Sequence, residues 1–324
     1  MKRALGLRPR YMTPTKHLSV RLALGLGALI LCVFSSREAS ASPWVLPKER
    51  FVLSMTTGFS NAQNEFINDD QGTRQRFPLQ GKLNIYSLRF SGRYGIQDKL
   101  ELEVSAALQS LTYSAESFQR NDQFVNLDTS EFGLGDVYLN LTRQLISGSW
   151  PLSVQLSLKL PTGYSGPAPN KLALGSGQAD FSSMLQFGHL FKTGTLIGLE
   201  GGGVLRLNGP GHQVKYGAKL AQRVSGRLFI FAAQTGYHTV TDGESTGLFN
   251  QVSRAPSISA NDFQIDEDTY LLPFSLNQDL HQVEVGFFLG TKTRVEYSGA
   301  LIIPWAGRNA SQLISLFLNV SHPF

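Results

Sequence analysis

Apolar and polar side chains alternate along much of this chain. In Leu152-Ser153-Val154-Gln155-Leu156-Ser157-Leu158-Lys159-Leu160 the alternation is unbroken. A period of two sends the Leu and Val residues to one face of a strand and Ser153, Gln155, Ser157 and Lys159 to the other, whereas a helix would scatter both sets. The period recurs in twelve segments, at about 50–59, 83–94, 100–109, 134–144, 152–160, 181–191, 195–206, 213–224, 227–239, 280–289, 294–304 and 312–324. Soluble strands average about 5–6 residues, and a tilted strand crossing a bilayer needs ~9–11. These segments fit the second length. The pattern therefore predicts an all-β fold, an antiparallel transmembrane β-barrel of about twelve strands, with ten or fourteen as the alternative counts.

The connections alternate too. Gly95–Lys99, Leu145–Pro151, Lys192–Gly194, Ser225–Gly226 and Gly290–Thr293 are short, while most of the others are long and polar, up to the stretch 240–279. Short turns at one end and long loops at the other characterise outer-membrane barrels, with the turns facing the periplasm. The last segment places Ile314, Leu316, Leu318, Val320 and His322 at alternate positions and ends on Phe324. A C-terminal Phe closing an alternating strand resembles the signal read by the bacterial outer-membrane assembly machinery, so Phe324 is expected to engage that partner. Phe59, Tyr94, Tyr216, Phe229, Tyr237, Tyr297 and Trp305 lie near strand ends, where interfacial girdles sit.

The formal charge of +5 over 324 residues originates at the N-terminus. Residues 1–41 hold seven of the 29 basic residues and one of the 24 acidic ones, leaving 22 against 23 in residues 42–324. No basic footprint remains, so nucleic-acid binding has no support. Residues 1–41 read as a secretory signal peptide, with a basic region ending at Arg21, an apolar region Leu22–Phe34 and small residues in Ala39-Ser40-Ala41. Cleavage after Ala41 is expected to leave residues 42–324 as the barrel domain, exported to the outer membrane of a Gram-negative bacterium. Cys32, the single cysteine, follows Leu29-Ile30-Leu31, a poor lipobox. The mature chain is then expected to carry neither disulfides nor thiolate metal sites. No apolar run reaches the ~18 residues of a membrane-spanning helix.

Alternation also sends Arg89, Arg93, Glu101, Glu103, Lys159, Glu200, Lys215, Lys219, Arg223, Glu284 and Glu296 to the polar face. Facing lipid, each would cost roughly 2–4 kcal/mol near the midplane. They are read as lumen-facing charges that brace the wall and narrow a polar path. Between the seventh and eighth strands, pairing Arg206 with Gln213 would set Glu200 directly opposite Lys219. Asp136 and Asp180 are expected to satisfy backbone donors where long loops enter strands.

Other chemistry finds little footing. Gly175-Ser176-Gly177 looks like a phosphate loop, but a strand follows it and there is no βαβ unit. His189, His212, His238, His281 and His322 occur singly, without metal-ligand spacing, and no nucleophile–base element marks a hydrolase. No enzymatic activity, catalytic residue, metal or cofactor is expected. Asp69-Asp70 and Asp266-Glu267-Asp268 fall in loops, either simply solvated or serving a divalent ion or lipopolysaccharide.

Several phrases together resemble the MetA-pathway of phenol degradation family of outer-membrane proteins. They are Tyr86-Ser87-Leu88, Gly92-Arg93-Tyr94-Gly95-Ile96, Leu100-Glu101-Leu102, Gly133-Leu134-Gly135-Asp136-Val137-Tyr138-Leu139, Leu160-Pro161-Thr162-Gly163 and Gly175-Ser176-Gly177-Gln178-Ala179-Asp180. Their order matches over roughly 45–240. The resemblance implies an outer-membrane barrel through which small molecules, hydrophobic or aromatic ones among them, pass without energy input. It supplies no catalytic residues. The alternative is a non-transporting structural or surface-interaction barrel whose long loops bind outside partners. Under the first reading the partners are membrane lipid, the assembly machinery and a small-molecule permeant.

Overall fold

Twelve long strands each hydrogen-bond to their sequence neighbours, and the last returns to the first. The computed structural model describes residues 43–67, 72–120, 123–125, 128–163, 172, 174–207, 211–241 and 277–324. The expected signal peptide, Asp69-Asp70 and Asp266-Glu267-Asp268 lie outside them. The strands are β1 (Phe51–Ala62), β2 (Lys82–Gln97), β3 (Leu100–Ser114), β4 (Thr129–Ile146), β5 (Leu152–Leu160) and β6 (Asp180–Leu190). They continue as β7 (Thr195–Arg206), β8 (Gln213–Ser225), β9 (Leu228–Thr239), β10 (Asp279–Gly290), β11 (Glu296–Arg308) and β12 (Ile314–Pro323). The sheet closes because β1 pairs with β2 on one side and with β12 on the other, from Val52–Pro323 to Asn61–Ile314. Closure leaves no unpaired sheet edge, the condition for strands to cross a hydrocarbon layer. The fold is a closed twelve-stranded antiparallel barrel.

The two faces of the wall differ in the sense a membrane requires. Leu185, Leu199, Leu220 and Val285 lie on the outside and are 54%, 53%, 56% and 50% exposed. Facing inward, Glu101, Gln186 and Glu284 are only 4%, 1% and 5% exposed. A water-soluble barrel would invert this arrangement, since a contiguous apolar surface of this extent is unfavourable in water. Among the described residues, no helix is long and apolar enough to cross a membrane.

Short turns gather at one end. Gln97 pairs with Leu100 across Asp98-Lys99, and Ser225 pairs with Leu228 across Gly226-Arg227. Lys99 and Gly226 have φ of 71° and 39° there, which a tight reversal between twisted strands needs. At the other end β2, β3 and β4 run to 16, 15 and 18 residues. That exceeds a bilayer span, so they extend past it and carry the long loops. Asn64–Phe66, Arg74–Arg76 and Ala310–Ser311 form a small three-stranded sheet at this loop end. Beneath it Ala62, Leu83 and Tyr113 are buried against Phe77 and Leu313.

One expected register is corrected. Strands β7 and β8 are adjacent, but Val204 pairs with Gln213, so Glu200 faces Gly217 and Lys219 faces Gly198. The shift is two residues, which preserves which face each side chain takes. Its cause is that β7 runs on beyond the β8 ladder. Arg206 pairs with Asp180 of β6, its N–H donates to His212 Nδ1 (3.2 Å), and Leu207 N–H donates to Ala179 O (3.0 Å). Glu200 and Lys219 are thus diagonal neighbours, with the Glu200 side chain lying over Gly217.

Candidate functional site: the barrel interior

The interior is built in two levels. At the turn end, residues 43–47, immediately before β1, lie across the bore. Pro43 O accepts hydrogen bonds from Ser153 Oγ (2.6 Å) and Gln144 Nε2 (3.1 Å), and Leu46 N–H donates to Glu101 Oε2 (2.7 Å). The segment fits because Gly188 lacks a side chain, since a Cβ there would sit 2.7 Å from both Pro43 Cγ and Trp44 Cη2. Pro43, Trp44, Val45 and Leu46 form one wall of a cavity of about 570 Å³. The lining also includes Arg93, Glu103, Glu200, Lys219, Phe288 and Glu296.

The charges of this level are organised by cross-strand geometry. Arg93 is paired with Glu103 across β2 and β3. Its guanidinium grips Glu101 bidentately, Nε to Oε1 at 2.7 Å and Nη2 to Oε2 at 2.9 Å. Parallel hydrogen bonds of this kind are the strong form of an ion pair. Asn140 Nδ2 donates to Glu103 Oε2 at 3.3 Å. Arg89 lies over the Tyr138 ring at 5.6 Å, and Arg223 over Phe229 at 5.0 Å. A polar chain runs from Gln186 Nε2 to Gln155 Oε1 (3.3 Å), and from Gln155 Nε2 to Thr142 Oγ1 (3.3 Å). Opposite it stands an aromatic surface. Phe231 and Phe288 stack at 4.8 Å, and the Lys219 ammonium lies 5.2 Å and 5.9 Å from their ring centres, a cation–π arrangement. Glu284 is buried on the same face of β10 as Phe288.

At the loop end the segment Leu174–Gln178 folds inward. Leu174 is buried against Gly133, where a Cβ would meet its Cδ1 at 2.7 Å. Here Asp180 is a partner of cations, beyond the backbone-satisfying role expected of it, and Asp136 lies near one of them. Lys159 Nζ pairs closely with Asp180 Oδ2 and lies 3.9 Å from Asp136 Oδ2. Arg206 Nε lies 3.9 Å from Asp180 Oδ1, which also accepts from Gln178 Nε2 at 3.1 Å. The carboxylates turn to these cations because Lys159 and Asp180 are direct cross-strand partners on one face. At the same end, Asp279 Oδ2 lies 3.0 Å from each of Arg308 Nε and His238 Nδ1.

Two aromatic residues differ from the girdle expected of them. Tyr94, Tyr216, Tyr297 and Trp305 are exposed on the outside. Phe229 and Tyr237, however, share the interior parity of β9 with buried Phe231, Ala233 and Thr239. Phe229 lies under Arg223, and Tyr237 lines a pocket at the loop end. Sequence reading also missed residues 43–47, Asp180 as a cation partner, Arg206 and the stacked Phe pair. A signal for the last exists in Leu228-Phe229-Ile230-Phe231-Ala232, where alternation gives way to a run apolar on both faces. Among the described residues no His/Cys/Asp/Glu group could hold a metal ion.

No protein-family model matches this sequence, and a search of curated proteins finds no match. Solved structures do match in fold. The COG4313 outer membrane channel from Pseudomonas putida F1 aligns with a TM-score of 0.60 at 15% identity, over 90% of this chain and 100% of that one. The translocator domain of the autotransporter NalP from Neisseria meningitidis aligns at 0.47 and 11% identity, covering 95% and 98% of the two chains. The CymD monoaromatic hydrocarbon channel aligns at 0.40 and 10%, covering 86% and 89%. At these identities, the first likeness places the chain among closed outer-membrane-type β-barrels by fold.

Proposed function

We propose that the protein is an outer-membrane channel for passive passage of small molecules, hydrophobic or aromatic ones among them, with its turn end in the periplasm. The observation that carries this reading is the pairing of an apolar outer wall with a charged interior that encloses about 570 Å³. A wall serving only as a support would do better with a tightly packed interior than with open volume. The buried charges here include a bidentate pair beside open volume, Arg93–Glu101. The stacked Phe231–Phe288 surface beside Lys219 would receive an aromatic ring, while the Gln186–Gln155–Thr142 chain opposite would receive polar groups. Arg89, Arg93, Glu101, Glu103, Lys159, Glu200, Lys215, Lys219, Glu284 and Glu296 line the path in this proposal. Export follows removal of residues 1–41, and insertion follows recognition of the strand ending at Phe324.

The test is reconstitution of the mature protein in planar bilayers and liposomes. Ion conductance, and uptake of a membrane-impermeant aromatic such as benzenesulfonate, should both exceed protein-free controls. A correctly folded barrel that conducts no ions and admits no solute would sink the channel reading in favour of a structural or surface-interaction barrel.

A further inference from the structure

The pocket at the loop end has a charge balance unlike the rest of the interior. It encloses about 190 Å³, room for about six waters at ~30 Å³ each. Lys159, Arg206 and Lys215 line it, with Asp180 as the single lining carboxylate. Asp180 and Asp136 lie within 4 Å of Lys159, and Asp180 also faces Arg206. Three cations against two carboxylates leave one positive charge, and geometry assigns it to Lys215. Lys215 sits opposite Gly202 on one side and Tyr237 on the other. Among the described residues no acid comes within ion-pair distance of it. Ser157, Ser182 and Gln213 add neutral hydrogen-bonding groups to the same walls.

We propose that this pocket binds a small organic monocarboxylate as it enters the barrel, a deepening that rests on the channel reading above. One uncompensated ammonium matches one carboxylate, and hydroxyl and amide donors complete its shell. Inorganic phosphate is disfavoured, because at neutral pH it carries between one and two charges and would lie beside Asp180 and Asp136. The volume admits about a half-dozen non-hydrogen atoms, the size of propionate or lactate. The larger cavity at the turn end does not suit the same ligand. Its lining carries Glu103, Glu200 and Glu296, and its Arg93 is already committed to Glu101.

The experiment is saturation-transfer NMR on the purified, folded barrel with propionate, inorganic phosphate and methylammonium as separate probes, alongside bilayer conductance. Propionate should bind, and Lys215→Gln should weaken it about tenfold, the loss expected for one charged hydrogen bond. Lys215→Arg should restore most of the binding, and Lys192→Gln, which removes a charge from an exposed turn, should leave it unchanged. Each variant is first checked for the heat-modifiable gel mobility of a closed barrel. Propionate binding indifferent to Lys215→Gln overturns the site, as does phosphate or methylammonium binding more tightly than propionate. Lys215-dependent propionate binding without ion conductance upholds the site and overturns the channel reading. Conductance without propionate binding does the reverse.

Discussion

The Arg93–Glu101 pair offers a quantitative check on how the interior is held together. The Glu101 side chain is 5% exposed and that of Arg93 29%, with Nε–Oε1 at 2.7 Å. Replacing Arg93 by Met would strand a buried carboxylate whose remaining hydrogen-bond partner among the described residues is the Leu46 N–H at 2.7 Å. Removing one member of a buried ion pair costs about 3–5 kcal/mol. Glu101→Gln should cost less, about 1.5–3 kcal/mol, the worth of a hydrogen bond to a charged group, because the more exposed guanidinium recovers water and Gln still accepts from Leu46. Arg93→Met combined with Glu101→Leu should be nearly neutral, since an apolar pair of similar volume avoids the desolvation both charges suffer. Urea unfolding of the barrel in lipid vesicles, followed by tryptophan fluorescence, measures all three, and adding the Glu101→Leu single variant closes a double-mutant cycle. Trp44 lies within the 43–47 segment that holds Glu101 through Leu46, and reports its release. An Arg93→Met cost below about 1 kcal/mol, or additive single and double variants, would refute the claim that the pair is desolvated and coupled.

Three further outcomes follow from the same geometry. Leu156 points outward from the middle of β5, so Leu156→Arg should impair insertion by roughly 2–4 kcal/mol, whereas Ser157→Arg, directed inward, should be nearly neutral; vesicle refolding yields compare them, and equal losses would deny the register. Phe324 is 59% exposed, and its contacts are a backbone hydrogen bond to Phe51 O and ring contacts with Phe51 and His322. Phe324→Ala should therefore refold normally in vitro while its assembly yield in cells falls, and normal cellular yield would end the assembly-signal reading. Burial in the small loop-end sheet raises the pKa of Glu65 above its ordinary value, partly countered by Gln75. A raised acid means the folded sheet binds more protons than the unfolded segment, so its stability is highest at low pH and declines as pH rises through the raised value. Protection factors from hydrogen exchange over residues 64–66 should fall across that window, and Glu65→Gln should remove the dependence.

Much of the architecture was legible in sequence because a barrel wall obeys local rules. Period two, strand length and alternating loop lengths require no knowledge of distant contacts, and an up-and-down barrel pairs each strand with its chain neighbour. The charges of Arg93, Glu101, Lys159 and Glu200 were assigned to the polar face by the same parity. Tertiary structure decided what parity cannot see. The β7–β8 register depended on where β7 leaves its ladder, and that was settled from the far side, by Arg206 reaching Asp180 on β6. The course of residues 43–47 carries no period at all, and only the glycine at 188 and the acceptors and donors of β3–β5 make room for it. The Phe231–Phe288 stack and the Lys159–Asp180–Arg206 cluster join adjacent strands, and each depends on the register between them, which the period of a single strand does not contain. Sequence determines which face a side chain takes because that is a property of one strand; its neighbours across the bore are a property of the closed ring.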